Sequence, residues 1–393
     1  MSEVDTRAPA APPAVPPAGE GPAPSARQAR VLPEGPGDGA GAGLSPAKLA
    51  LRQAMLRGAV RAAPAGIPRR AAGGDAPLSF AQERLWFLER LQPGLAAYNL
   101  PASRRFSGPL DAGALERAMG EIVRRHESLR TTFREVDGVP VQVVSPFGGF
   151  ALPVDDLSAL GEAAREAEVR RREAEQVERP FDLTVGPLYR AALLRLGERE
   201  HALLFCLHHI VTDGWSMDVF FRELLVLYEA YRDGRDPGLP EPPIQYGDYA
   251  VWQREQWRAE EARHVAYWRE RLAGAPELLE LPADHPRPPV PSFRGASVPV
   301  EVPAEVLERL RELGRREGAT LYMVVLAAFQ LVLSRWSGSD DVLVGTLVAG
   351  RTREEVEPLV GLFMNTLVLR GDLSGDPTFR DLVAGARESV LGA

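Results

Sequence analysis

Leu204 to Phe221 reads LFCLHHIVTDGWSMDVFF and sets two adjacent histidines, His208 and His209, at the end of an apolar run. A Thr-Asp-Gly turn signal follows at Thr212 to Gly214. Ser216 is then the expected cap of a helix that runs to Asp233 and ends at Gly234. Successive side chains of a strand point to opposite faces. Leu203, Phe205 and Leu207 therefore share one face, and Leu204, Cys206 and His208 the other. Both faces are apolar, which reads as a strand buried on both sides. If the strand continues through the pair, the two imidazoles point apart and at most one faces a given cavity. The other needs partners in the core, because a buried polar group left unpaired costs about 1–3 kcal/mol. Gly214 brings a backbone N–H to the start of a helix, where partial positive charge gathers. A basic nitrogen beside such an N–H suits acyl transfer: one handles a proton, the other steadies an oxyanion. Other roles fit the same residues. A buried histidine is often a satisfied core residue. A His-His pair can also hold a metal, but His126, His201, His264 and His285 add no ligand spacing, so no metal is expected.

Several elements must position these residues. Asp111 caps a helix expected through Arg125, with Leu115, Met119 and Ile122 on one stripe. VPVQVVSP from Val139 alternates like a strand and stops at a proline. Leu188 to Leu196 and His201 to His209 are two further strands. DPGLPEPPIQ is a Pro-rich crossing between lobes, and a long polar helix with Trp252, Trp257 and Trp268 follows it. Beyond the second Pro-rich loop, Pro282 to Pro291, a strand is expected at Ala296 to Val302 and a helix at Ala304 to Glu317. Thr320 to Trp336 reads as a buried helix, too short and too polar at Gln330 and Arg335 to span a membrane. Strands at Asp341 to Val348 and Thr366 to Gly371 come last. The pattern is mixed α/β (α+β) without strict βαβ alternation.

Ahead of these elements, residues 1–43 are dominated by Ala, Pro and Gly and are expected to be a disordered tail. Residues 44–75 hold a short helix capped by Ser45, with Pro46 at its first position, and then a linker. That helix either packs loosely on the next domain or docks an upstream protein. Residues 76–240 and 241–393 then form two lobes. The net charge of −8 is spread along the chain, which argues against a nucleic-acid partner. A single cysteine excludes an intrachain disulfide framework and a Cys-based zinc site. The amino terminus has no secretory signal pattern, so the expected location is cytoplasmic.

With these stretches in view, the chain resembles the condensation domains of nonribosomal peptide synthetases. HHIVTDGWS (His208 to Ser216) looks like their HHxxxDG signature, which is shared with chloramphenicol acetyltransferase. LSFAQERLWFL (Leu78 to Leu88) resembles the first motif of the family and RRHESLRTTF (Arg124 to Phe133) the second. YGDYAVW (Tyr246 to Trp252) resembles the fourth and GLFMNTLVLR (Gly361 to Arg370) the fifth. The resemblance covers roughly residues 78–393.

It implies a pseudo-dimer of two chloramphenicol acetyltransferase-like lobes in a V, with a central tunnel. Donor and acceptor peptidyl carrier proteins would deliver thioesters on 4'-phosphopantetheine arms from opposite sides, and no cofactor would bind directly. An adenylation domain would be a neighbour. The reaction would be attack of the acceptor amine on the donor thioester, giving an amide bond. His209 would be the catalytic histidine and His208 its structural partner. Asp213 would pair with Arg351, at the end of VGTLVAGR. Gly214 would let the substrate arm pass and lend its N–H. Arg130 would brace the tunnel wall by charge pairing. Trp215 and Ser216, which follow the signature, would be structural at the site. The chain ends at Ala393, before the HQDxPFE motif of the family, so the second lobe is expected to be incomplete.

Among relatives of this fold, an epimerisation domain usually carries Ser before Trp, whereas Trp215 precedes Ser216 here. A heterocyclisation domain replaces the histidines with Asp. LSFAQERLWFL most resembles the subtype joining two L-residues. A chain that begins with Met1 and has no upstream carrier domain is expected of either a starter domain, which loads a fatty acyl group, or a condensation domain that acts in trans. A non-catalytic platform for tailoring enzymes is expected to have lost the histidine motif.

Overall fold

The structure is a computed structural model that describes residues 66–71, 74–289, 295–296 and 298–393. The expected tail and the helix after Ser45 lie outside the described residues. In chain order the first elements are β1 (Ala76–Pro77), α1 (Phe80–Leu91), β2 (Asn99–Pro101), β3 (Arg104–Ser107) and α2 (Ala112–Arg125). Next come β4 (Thr131–Val136), β5 (Val139–Val144), β6 (Val154–Asp156), α3 (Glu162–Glu178), β7 (Tyr189–Arg195) and β8 (Glu200–His208). The rest are α4 (Gly214–Arg232), α5 (Tyr246–Arg271), α6 (Ala304–Arg316), α7 (Leu321–Ser337), β9 (Asp341–Val348), β10 (Asn365–Asp372) and α8 (Phe379–Gly392).

β8 is the spine of the larger sheet. It pairs antiparallel with β7 along one edge, from Tyr189↔Leu207 to Arg195↔His201. Its other edge takes β2 (Asn99↔His208) and β3 (Arg104↔Leu203), and β6 adds in parallel beyond β7. The alternation along β8 explains its two covers. Leu203, Phe205 and Leu207 meet Leu115, Met119 and Ile122 of α2 and Val219 and Phe220 of α4. On the opposite face Leu204 packs with Val169 of α3, and Cys206 with Trp86 of α1. Full burial of such a leucine contributes about 1.5–3 kcal/mol. The same helices are tied by charge. Arg125 and His126 both reach the Glu223 carboxylate, at 3.0 and 3.1 Å. Burial alone would raise that carboxyl, but the hydrogen bonds from His126 and Arg125 outweigh it and bring it down to about 2.

A smaller hairpin, β4–β5, turns through Asp137 and Gly138, both at positive φ, as a two-residue Asp-Gly loop requires. β1 extends it on the β5 side. In the C-terminal part, β9 and β10 pair antiparallel from Asn365↔Val348 to Asp372↔Asp341. Val324, Ala327, Leu382 and Val383 of α7 and α8 cover them. No single helix among the described residues is long and apolar enough to cross a membrane.

The structure corrects several expectations. Residues 295–296 and 298–303 are not a strand. Val298 and Val300 alternate but are over four-fifths exposed, with no partner strand among the described residues. α7 is not buried all round, since Tyr322, Val325, Phe329, Val332 and Trp336 expose one stripe. The visible chain closes on a helix, α8, rather than a strand.

Candidate functional site

The two histidines diverge because the strand ends between them. β8 stops at His208, and His209–Val211 turn as a 3-10 helix, so strand alternation is not what separates them. His208 is 2% exposed. Its Nδ1 accepts the Ile210 N–H at 3.1 Å, and Tyr98 and Phe181 flank its ring. Burial first, then the nearby charges of His209 and Arg190, hold its pKa down to about 4. It is therefore a neutral core residue at physiological pH. His209 is partly exposed and keeps its Nδ1 2.7 Å from the Thr212 carbonyl. A carbonyl oxygen only accepts, so this nitrogen carries the proton in the neutral ring. Nε2 is left as the lone-pair nitrogen.

Asp213, not Ser216, caps α4 by accepting the Ser216 N–H at 2.8 Å. The carboxylate does more than cap. Its Oδ1 also lies 2.7 Å from Ser216 Oγ and accepts from Arg351 Nη2 at 3.3 Å, while Oδ2 accepts the Phe363 N–H at 2.9 Å. Both charged side chains are almost fully buried, at 1% and 2% exposure. Ser216 Oγ is shared further: it accepts from Arg351 Nη2 at 2.8 Å and from the Gly361 N–H at 3.0 Å. Arg351 Nη1 donates to the Val356 carbonyl and, at 2.8 Å, to that of Leu359. The guanidinium stacks 4.0 Å from the Phe363 ring centre. Trp215 donates its Nε1–H to the Glu357 carbonyl at 3.0 Å.

Residues from the other motif stretches close this cluster, and they were not among the expected site residues. Tyr246, at the start of α5, donates to the Leu362 carbonyl and lies 2.7 Å from Ser79 Oγ. Ser79 and Gln82 form a capping box at α1, and Gln82 Nε2 donates to the Ile210 carbonyl inside the histidine turn. The Ser-x-x-Gln spacing is the signal that could have found them. A Cβ on Gly361 would run into the Tyr246 ring, so only glycine fits there. Gly350 sits at φ +65°, where a Cβ would run into the Phe363 carbonyl. From RRHESLR, Ser128 donates to the Val360 carbonyl at 2.7 Å.

Gly214 is the first residue of α4, and a Cβ there would meet nothing within 4 Å. Arg130 departs from expectation. Its Nη1 donates to the Ser145 carbonyl at 2.7 Å and its Nη2 to that of Arg124 at 3.3 Å, while Glu127 stays 3.9 Å away. It pins the end of β5 to the end of α2 through carbonyls, with the Glu127 carboxylate as its longer-range charge partner.

A family model, "Condensation domain", matches residues 72–393. A polypeptide of the linear gramicidin synthase of Brevibacillus parabrevis is 50% identical over 318 residues, which are 81% of this chain and 4% of that protein. Phosphinothricin tripeptide synthetase PhsB of Streptomyces viridochromogenes is 45% identical over 350 residues, 88% of this chain and 29% of that one. The chain thus spans a small part of the curated relatives it matches. Among solved structures, the X-domain from teicoplanin biosynthesis has a TM-score of 0.75 and 32% identity, covering 83% of this chain and 72% of that one. The first condensation domain of the CDA synthetase has a TM-score of 0.67 and 28% identity, covering 82% and 76%.

Two outcomes follow from the geometry. Asp213→Ala leaves Arg351 buried without its partner and should cost about 3–5 kcal/mol in denaturant unfolding. A parent-like midpoint would disprove the pairing. His208 gives a pH signature. Its folded pKa lies below the unfolded value of 6.5, so its contribution is complete above pH 6.5. It is lost as pH falls toward about 4, by roughly 3 kcal/mol at about 1.4 kcal/mol per pKa unit. Thermal melts between pH 7 and 4 should flatten in His208→Gln. An unchanged slope would place the effect elsewhere.

Proposed function

The chain belongs to the condensation-domain family of nonribosomal peptide synthetases, and from that premise we propose that it forms an amide bond between two carrier-bound substrates. The acceptor is an aminoacyl thioester with a free amine, and the donor an acyl or peptidyl thioester. Both ride on the 4'-phosphopantetheine arms of peptidyl carrier proteins, with an adenylation domain loading the acceptor. The reading places the reaction in the cytoplasm and, for the fold, in the tunnel of a two-lobed V. Joining two L-residues is the preferred subtype. The observation that carries the proposal is the free Nε2 of His209, partly exposed one turn ahead of Gly214.

The amine nitrogen adds to the thioester carbonyl carbon, and the carbonyl oxygen becomes an oxyanion. An α-amine has a pKa of about 7.7–8.0, so a useful fraction is neutral before attack. A strong base is therefore not needed to start. Once added, the nitrogen is acidic, and His209 Nε2 takes its proton. The C–S bond breaks, the C–N bond remains, and the thiolate leaves with the proton that His209 returns. The Gly214 N–H, at the positive end of α4, is the candidate donor to the oxyanion. Holding the amine in line is worth several kcal/mol in its own right.

A platform function has one observation in its favour, the likeness to the teicoplanin X-domain, solved also in complex with OxyB. Retention of HHIVTDG weighs for catalysis. With carrier-bound donor and acceptor, His209→Ala should slow product formation by about 10²–10⁴-fold. Its melting temperature should stay near the parent value, because the side chain contributes little packing. Parent-rate turnover, with chemistry limiting, would remove His209 from the reaction.

A further inference from the structure

The family match begins at residue 72, yet residues 66–71 lie against the folded chain. Ile67 is 5% exposed and packs among Ile244, Tyr246, Tyr249 and Val356. Arg69 donates to the Pro243 carbonyl at 2.6 Å and to that of Pro242 at 3.0 Å. The Arg70 N–H donates to Asp248 Oδ1 at 3.0 Å, and Nη2 of the same residue meets the Glu127 carboxylate at 2.7 Å. Asp248 is the carboxylate that closes the capping box at the start of α5, with Oδ2 accepting the Gln245 N–H at 2.8 Å.

Gly247 supplies the second, independent observation. It sits in the first turn of α5 at ordinary helical φ, where alanine would be favoured over glycine. A Cβ there would lie 2.8 Å from Arg70 Nε and 2.9 Å from its Cζ. The bare face of Gly247 is the seat of the Arg70 guanidinium, so a glycine inside the matched family is explained by a residue outside it.

We infer that residues 66–71 are a strap that belongs to the working domain, and that Arg70 is a positioning residue for the histidine turn. It acts through the start of α5. Arg70 fixes Asp248 and Gly247, which places Tyr246. Tyr246 holds the Leu362 carbonyl and lies over Gly361. The Gly361 and Phe363 amides donate to Ser216 and Asp213, next to the turn whose Thr212 carbonyl orients His209.

The inference rests on the condensation reading only for its activity arm, so the first readout is amide exchange. In Arg70→Ala and in Gly247→Ala, peptides spanning Val360 to Met364 should exchange at least tenfold faster, while peptides from β7 and β8 keep the parent rate. The double variant should be no worse than Gly247→Ala alone, because the new methyl enters space that Arg70 has left. Arg70→Lys, which keeps the charge but not the fork, should recover part of the protection. It carries the same comparison if Arg70→Ala does not fold. In the coupling assay Arg70→Ala should lower kcat and leave KM for the carriers unchanged. Parent-like exchange at Val360 to Met364, or strictly additive effects in the double variant, would overturn the strap. An inactive parent with the predicted exchange pattern would overturn the condensation reading and leave the strap standing.

Discussion

The buried pair of Asp213 and Arg351 is the constraint around which the rest is arranged. Taking two charges out of water costs several kcal/mol per ion, and mutual attraction repays it only when the remaining donors and acceptors are also met. Here the carboxylate gathers the Ser216 amide, the Arg351 guanidinium and the Phe363 amide. The guanidinium in turn gathers the Ser216 hydroxyl and the carbonyls of Val356 and Leu359. Meeting those demands, all but that of the buried Arg351 Nε, draws the 356–363 segment onto the first turn of α4. That segment cannot shift without leaving a buried charge exposed to an apolar interior.

Its consequence for the histidines is geometric. Asp213 ends the turn that begins at His209, and the Thr212 carbonyl inside that turn selects the proton-bearing nitrogen of the ring. His208, one residue earlier, is still part of β8 and is held neutral by burial. One imidazole is thus committed to packing, and its neighbour is left partly exposed. Close backbone contacts extend the cluster. Gly361 lets the Tyr246 ring lie close against the chain, and Gly350 lets a left-handed turn pass the Phe363 carbonyl.

Much of this was legible in the sequence, for identifiable reasons. β8 announces itself because both of its faces are apolar, and α2 because a capped stripe recurs at helical spacing. α3 was missed because only Val169 of its seventeen residues is buried, so it has no apolar stripe to read. The false strand at Ala296 to Val302 shows the converse. With no partner strand among the described residues, the alternation leaves Val298 and Val300 in solvent. The site was legible only in part. Local spacing signals the histidines and the turn, but Asp213 and Arg351 are 138 residues apart, and only the family resemblance joined them. The capping role passed from Ser216 to Asp213 because an aspartate at the residue before the helix reaches the third amide, as an N-cap does. For Arg130, charge type alone did not reveal that its short hydrogen bonds go to carbonyls, with Glu127 farther off at 3.9 Å.

The Asp213 cluster holds His209 with its proton on Nδ1 and its lone pair on Nε2. The most direct measurement is the ¹⁵N spectrum of the His209 imidazole above its titration. The parent should show Nδ1 as the protonated, hydrogen-bonded nitrogen and Nε2 as the bare one, and Asp213→Asn should blur this into a mixture of tautomers. A parent ring protonated on Nε2, or a spectrum indifferent to Asp213, would show that the cluster does not set the tautomer.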